Sequence, residues 1–181
     1  MRSIALVLAA AVLGLAGCDA DGDDWDPDAQ FAPSLRPAIG IRMTDGELRL
    51  WTGTPCRRVT HVALTFDAAT DDSVRWELTS RRPRGVVLEE LTVDGPNRGF
   101  RVSEPLPHGY DWTDAARVVF VADAADEVWG TSTDLDVVLD ESAEHADDTY
   151  YFDEVGWLDA EGVSERNGEE FLTPCTPDPE G

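Results

Sequence analysis

Val59-Thr60-His61-Val62-Ala63-Leu64-Thr65-Phe66-Asp67 alternates with a period of two. Val62, Leu64 and Phe66 fall on one face; His61, Ala63 and Thr65 fall on the other. A few residues on, Val74-Arg75-Trp76-Glu77-Leu78-Thr79 repeats the pattern with Val74, Trp76 and Leu78 on one side. Successive side chains of a strand point to opposite faces, so both runs read as strands with one face buried. Similar short runs recur at 38–43, 47–51, 86–93, 100–102, 117–122, 135–139 and 150–158.

Turn chemistry separates the runs. Asp45-Gly46 reads as a hairpin turn, and Asp94-Gly95-Pro96-Asn97 as a second turn. Gly53-Thr54-Pro55 reads as a third. No stretch of eleven or more residues carries a helical period, and 140–148 reads as an acidic loop or a short helix. Eight or nine short strands at this spacing predict an all-β fold, an antiparallel β-sandwich of immunoglobulin-like or fibronectin-III-like type. A jelly roll or small β-barrel is the alternative.

The charge balance excludes other classes. The chain of 181 residues has 14 Arg, no Lys and 37 Asp and Glu, for a net charge of -23. Nucleic acid is not an expected partner, because a phosphate backbone selects a basic face. The acids are uneven: residues 122–181 hold 19 of them against Arg166 alone. Residues 19–28 hold six Asp in ten positions and have little to bury, so 18–30 reads as a disordered, self-repelling tether. An EF-hand register on Asp19, Asp21 and Asp23 fails, because Asp24 stands where Gly is needed and Gln30 where Glu is needed. No cofactor or metal site is expected.

The N-terminus has Arg2, an apolar stretch from Ile4 to Leu15 and then small residues. It is too short to span a bilayer and has the layout of a secretory signal peptide, residues 1–17. Its end, Leu15-Ala16-Gly17-Cys18, resembles the lipobox of bacterial lipoproteins. The resemblance implies cleavage before Cys18, acylation of that residue, and an extracytoplasmic protein held to the membrane by lipid. The domain layout is then a signal peptide, the tether, and a single sandwich domain over 31–181.

With Cys18 assigned to lipid, Cys56 and Cys175 remain, and in an oxidising compartment they are expected to pair. The search for chemistry finds no nucleophile elbow and no phosphate-binding loop, and the absence of Lys removes Schiff-base chemistry. His61, His108 and His145 are not in metal-ligand spacing. His61 reads as a cross-strand or surface residue and His145 as part of a solvated acidic loop.

Two segments differ from this background. Pro107-His108-Gly109-Tyr110-Asp111-Trp112 is a turn-rich stretch whose aromatics lie two apart. His108, Tyr110 and Trp112 are candidates for a binding rim, with Trp112 folded back on the core as the competing reading. Arg75 and Arg81-Arg82-Pro83-Arg84 form the one basic cluster visible in the sequence. It is expected to stay solvated or to pair with the acidic C-terminal third, with docking on anionic lipid headgroups or a cell-wall polymer as the alternative. The functional expectation is a lipid-anchored, non-enzymatic binding or interaction domain at the cell envelope, with an envelope protein as partner. A domain for a small ligand, carbohydrate or metal ion is the first alternative, and an envelope hydrolase the second.

Overall fold

The computed structural model describes residues 35–67, 72–125 and 127–176. Signal region, Cys18 and acidic tether lie outside the described residues. Nine strands form: β1 (Gly40–Thr44), β2 (Glu47–Phe66), β3 (Val74–Ser80), β4 (Val86–Thr92), β5 (Phe100–Glu104), β6 (Arg117–Ala124), β7 (Glu127–Asp134), β8 (Tyr150–Phe152) and β9 (Gly156–Leu158). Two short helices, α1 (Leu135–Glu141) and α2 (Ala160–Arg166), complete the described fold, with 3-10 turns at Trp112–Asp114 and Ser142–Glu144. Every strand pairing is antiparallel, so the fold is the all-β, antiparallel, sandwich-like architecture that the alternation requires.

The 20-residue strand β2 organises the whole domain. Its first part pairs with β1 and β4; its last part pairs with β3 and β6. Between them the register against β4 shifts twice, from Trp51 to Cys56 and from Cys56 to Val59. Gly53 and Arg58 carry the positive φ angles, 74° and 62°, that such a break requires. Gly53-Thr54-Pro55 is therefore a bend inside a strand rather than the turn its composition suggests. The two shifts offset each other, so the same alternate set points inward on both sides of the break and only Val59 falls out of step. Leu48, Leu50 and Cys56 are buried before the break, Val59 within it, and Val62, Leu64 and Phe66 after it. One strand can thus give its apolar face to one core from both sheet halves. Leu64 lies between Trp76 and Phe120 in register, and Val62 between Leu78 and Ala122.

A second, smaller core forms on the opposite face of β1 and β8. Trp51, Tyr150, Phe152, Val163 and Phe171 make it up, with Trp51 and Phe152 ring centroids 5.8 Å apart. Gly40 permits this contact. It sits in register between Trp51 and Phe152, and a methyl group there would lie 2.8 Å from the Phe152 ring. The aromatic side chains fill the place a side chain would otherwise take.

Cys56 and Cys175 form the expected disulfide, with Cα atoms 5.3 Å apart. The tail that bears Cys175 is also bonded through its hydroxyls. Thr54 Oγ1 lies 3.0 Å from Thr173 Oγ1, and Asn167 Oδ1 accepts from the Thr173 N–H at 2.9 Å. Leu172 meanwhile exchanges backbone bonds with the other end of the described chain, donating to Arg36 O and accepting from Ala38 N–H.

Three local expectations need correction. The run 135–139 is helical, not a strand. Leu135 and Val138, three apart, are the residues it buries, and Asp136 in the first turn suits the positive end of a helix. Seven residues are too few for an eleven-residue period to register. The same brevity hid α2, which begins where the Asp159 carboxylate accepts from the Gly162 N–H at 2.8 Å. The run 150–158 is two strands joined by a turn at Asp153–Val155, with Glu154 at φ 59° and Gly156 at φ 104°. Finally, β7 has no apolar alternation. It pairs only with β6, and Thr133 is its one buried residue, so an exposed edge carried no hydrophobic signal.

Candidate anion-binding surface

The arginines divide into two groups. Six of those described make ion pairs: Arg36 with Glu154, Arg42 with Asp147, Arg49 with Glu47, Arg75 with Glu77, Arg117 with Asp134 and Arg166 with Glu170. The other seven, Arg57, Arg58, Arg81, Arg82, Arg84, Arg98 and Arg101, are exposed and make no ion pair among the described residues. Six of them share a neighbourhood, while Arg57 lines a separate hollow with Ala124, Glu127 and Trp129. The six lie on the β2 break, the β3–β4 turn, the β4–β5 connection and the start of β5.

Backbone contacts draw these segments together. Arg81 N–H donates to Gly99 O at 2.9 Å, and Arg81 Nε donates to Phe100 O at 2.7 Å. The turn at Arg82–Gly85 closes with Gly85 N–H on Arg82 O at 2.9 Å. Gly85 has a φ of 76°, and a methyl group on it would lie 2.6 Å from Arg58 O. The turn can therefore rest directly on the β2 break. Asn97 fixes the next connection, accepting from Thr92 N–H at 3.0 Å and donating to Thr92 O at 2.8 Å.

A hollow of about 460 Å³ opens between these turns. Arg81, Arg98 and Arg101 line it together with Leu78, Phe100 and Val102. Guanidinium groups beside apolar surface suit a ligand that is anionic on one side and apolar on the other. The sequence showed only part of this cluster. It pointed to Arg75 and to 81–84, whereas Arg75 turns to its own strand neighbour, Glu77, at 2.5 Å. Pairing with the acidic C-terminal third does not occur for Arg81, Arg82 or Arg84 among the described residues. Arg98 and Arg101 join the cluster because β5 returns to pair with β3.

A second hollow, of about 430 Å³, is lined by Arg36, Arg117, Asp134, Asp153 and Glu154. Its charges are largely spent on each other, with Arg117 Nε donating to Asp134 at 2.6 Å and Arg36 paired with Glu154. Asp153 makes no ion pair among the described residues. Burial first, and then the Asp134 and Glu154 carboxylates, push its pKa above the ordinary Asp value. A carboxyl raised in the folded state contributes stability at pH below its unfolded pKa and loses it as pH rises through the folded one. Asp153→Asn should therefore raise the melting temperature at pH 7 and leave it unchanged at pH 3. Equal melting at pH 7 would show that the charge is not strained there.

The remaining candidates are dispersed. Tyr110 and Trp112 are half-buried and pack against the main core, with the Tyr110 ring 5.9 Å from Phe66. Burial and then Asp67, Asp114 and Asp111 push the Tyr110 phenol up. His108 is exposed beside them. Asp111 accepts from Thr113 N–H at 3.0 Å, so the loop is internally bonded. His61 bridges strands, 3.3 Å from Glu77 and 3.4 Å from Asp123. His145 stacks on Trp157 at 4.3 Å, and Glu141 accepts the Trp157 indole N–H at 3.1 Å. Among the described residues no three His, Cys, Asp or Glu side chains are arranged to hold a metal ion, and no helix is long and apolar enough to cross a membrane.

The fold defines a class, the all-β antiparallel sandwich-like domains, and no narrower one. Comparison with protein-family models, with curated proteins and with solved structures finds no match to this chain.

Proposed function

We propose that this chain is a lipid-anchored, extracytoplasmic protein of the cell envelope, held through acylated Cys18, whose sandwich domain is a non-enzymatic binding module for an anionic partner. The anchor rests on the lipobox resemblance at Leu15–Cys18. The single observation that supports the binding role is the gathering of six arginines, Arg58, Arg81, Arg82, Arg84, Arg98 and Arg101, that make no ion pair among the described residues, on one part of a molecule with net charge -23. A positive patch of this kind attracts anions locally even when the whole molecule is acidic, because charges beyond about 10 Å are screened at 0.1 M salt.

The reading has a counterintuitive consequence. The protein has a sequence pI of about 4.1, so at pH 7 its net charge alone would carry it straight through a phosphocellulose column. The patch should instead retain the mature domain at low ionic strength and release it as salt rises. Arg81→Gln, Arg98→Gln and Arg101→Gln together should abolish retention, with a small fall in melting temperature from loss of the Arg81 Nε bond to Phe100 O; Arg98→Gln and Arg101→Gln alone should weaken retention without that fall. Flow-through of the parent protein at low salt would refute the binding role.

A further inference from the structure

The charge map also has a direction. Residues 134–170 hold fourteen acids and one arginine, Arg166, and they build α1, β8, β9 and α2. In one sheet half the hydrogen-bonded order runs from β4 through β2, β1 and β8 to β9. The arginine turns flank β4, and the acidic elements collect around β8 and β9. Four strand spacings separate these edges, about 19 Å along the sheet. That is roughly two screening lengths at 0.1 M salt. A surface touching the arginine turns therefore feels the cations strongly and the distant acids weakly.

The turns also carry apolar surface. Among the described residues the exposed large apolar side chains are Val87, Val102 and Val128, and two of them stand beside the arginines. Val87, on β4, is 55% exposed, and Val102, on the wall of the hollow, is 47% exposed. Cations interleaved with apolar side chains match a bilayer interface, where phosphate headgroups lie over the first methylene groups. Nearby acids are few. Asp94 lies in the β4–β5 connection, Glu89 and Glu90 lie on β4 and Glu104 ends β5, none of them paired with these arginines among the described residues.

We infer that the arginine turns dock on an anionic phospholipid surface and so orient the domain on its membrane. The inference rests on the proposed anion-binding role and names its partner. Reach is sufficient: residues 18–34 number seventeen, and a chain of that length spans at most roughly 60 Å. A domain of this size has a radius of gyration near ~15 Å, so any part of it can be brought to the bilayer. Docking would lay the arginine turns on the headgroups and leave α1, β8, β9 and α2 facing away from the repelling surface.

The test uses the mature chain from residue 18 with Cys18→Ser, so that no acyl chain contributes. It is floated with vesicles of phosphatidylglycerol and phosphatidylcholine in equal parts, and with vesicles of phosphatidylcholine alone. Each arginine near an anionic surface raises partitioning about fivefold, so replacing Arg81, Arg98 and Arg101 by Gln should lower it about 100-fold. Arg166→Gln, one such charge change at the far edge, should leave it unaltered where Arg98→Gln alone lowers it about fivefold. Binding to the mixed vesicles alone, lost in the triple variant and at high salt, is the expected result. Equal binding to neutral vesicles, or undiminished binding by the triple variant, overturns the inference. Retention on phosphocellulose without vesicle binding overturns the lipid surface and leaves the anion-binding role standing. Failure of both overturns both.

Discussion

Replacing Cys56 and Cys175 by Ala should lower the stability of the domain by about 4–5 kcal/mol, the chain-entropy value for so long a loop. The bond spans 119 residues and joins the middle of β2 to the described C-terminal end. For a domain of this size the loss corresponds to a melting temperature roughly 12–20 °C lower. The effect is concentrated because two chain ends share this place. Leu172 is hydrogen-bonded to Arg36 and Ala38, and Phe171 and Ala38 both belong to the second core. With the bond cut, the Thr54 hydroxyl, which contacts Thr173 and Thr176 and donates to Pro174 O, and the packing of Phe171 in the second core with Trp51 still hold the tail to β2. The ends should then fray together and expose Trp51. Melting with and without reductant gives the total, and hydrogen exchange gives the order of opening. A shift below about 1 kcal/mol would mean that packing of Phe171 and Leu172 alone holds the tail.

The contrast between what the residues announced and what they concealed has one physical cause. Period-two alternation reports burial by a residue's own sheet, so Val62–Phe66 and Val74–Leu78 were legible at once. A residue covered by a distant segment leaves no such mark. Trp51 lies on the face opposite Leu48 and Leu50 and is buried there because β8, α2 and Phe171 arrive on that face, which no local pattern of β2 announces. The arginine patch was half-legible for the same reason. Arg81, Arg82 and Arg84 are neighbours in sequence, but Arg98 and Arg101 join them only after β4 has run out and the chain has turned back. Seven-residue helices fall below the window in which a 3.6-residue period can be recognised, and an edge strand such as β7 has too little apolar content to register. The disulfide was legible because the lipobox resemblance set Cys18 aside and left Cys56 and Cys175 to pair.

Arg42 is the strongest case of a role that no local pattern reveals, and its loss should be nearly as damaging as that of the disulfide. It sits in β1 next to the core residue Ile41, where alternation places it on the opposite face, yet it is 2% exposed. The segment 142–149 covers it. One guanidinium nitrogen donates to Ala146 O and Thr149 O, each at 2.6 Å, and Nε donates to Thr44 Oγ1 at 2.9 Å. The Tyr150 ring lies beneath at 5.9 Å. Asp147 approaches to 3.6 Å but is fully exposed, so the carbonyls, not the ion pair, carry the interaction. Arg42→Met keeps the volume and leaves these carbonyls without their donor, which costs about 1–3 kcal/mol for each that stays buried. A total loss of about 3–5 kcal/mol is expected, comparable to breaking a buried charge interaction. Arg42→Lys should recover only part of it, because an ammonium group cannot reproduce the planar fork. Local readouts separate this from general weakening. Met43 N–H, bonded to Ser142 Oγ at 2.9 Å, and Thr149 N–H, bonded to Ala146 O at 3.0 Å, should lose exchange protection first. The His145–Trp157 stack should loosen with them, while the β2–β6 amides stay protected. A Met variant within about 1 kcal/mol of the parent would show that water can replace the guanidinium, and that the acidic segment holds its place by its own turns.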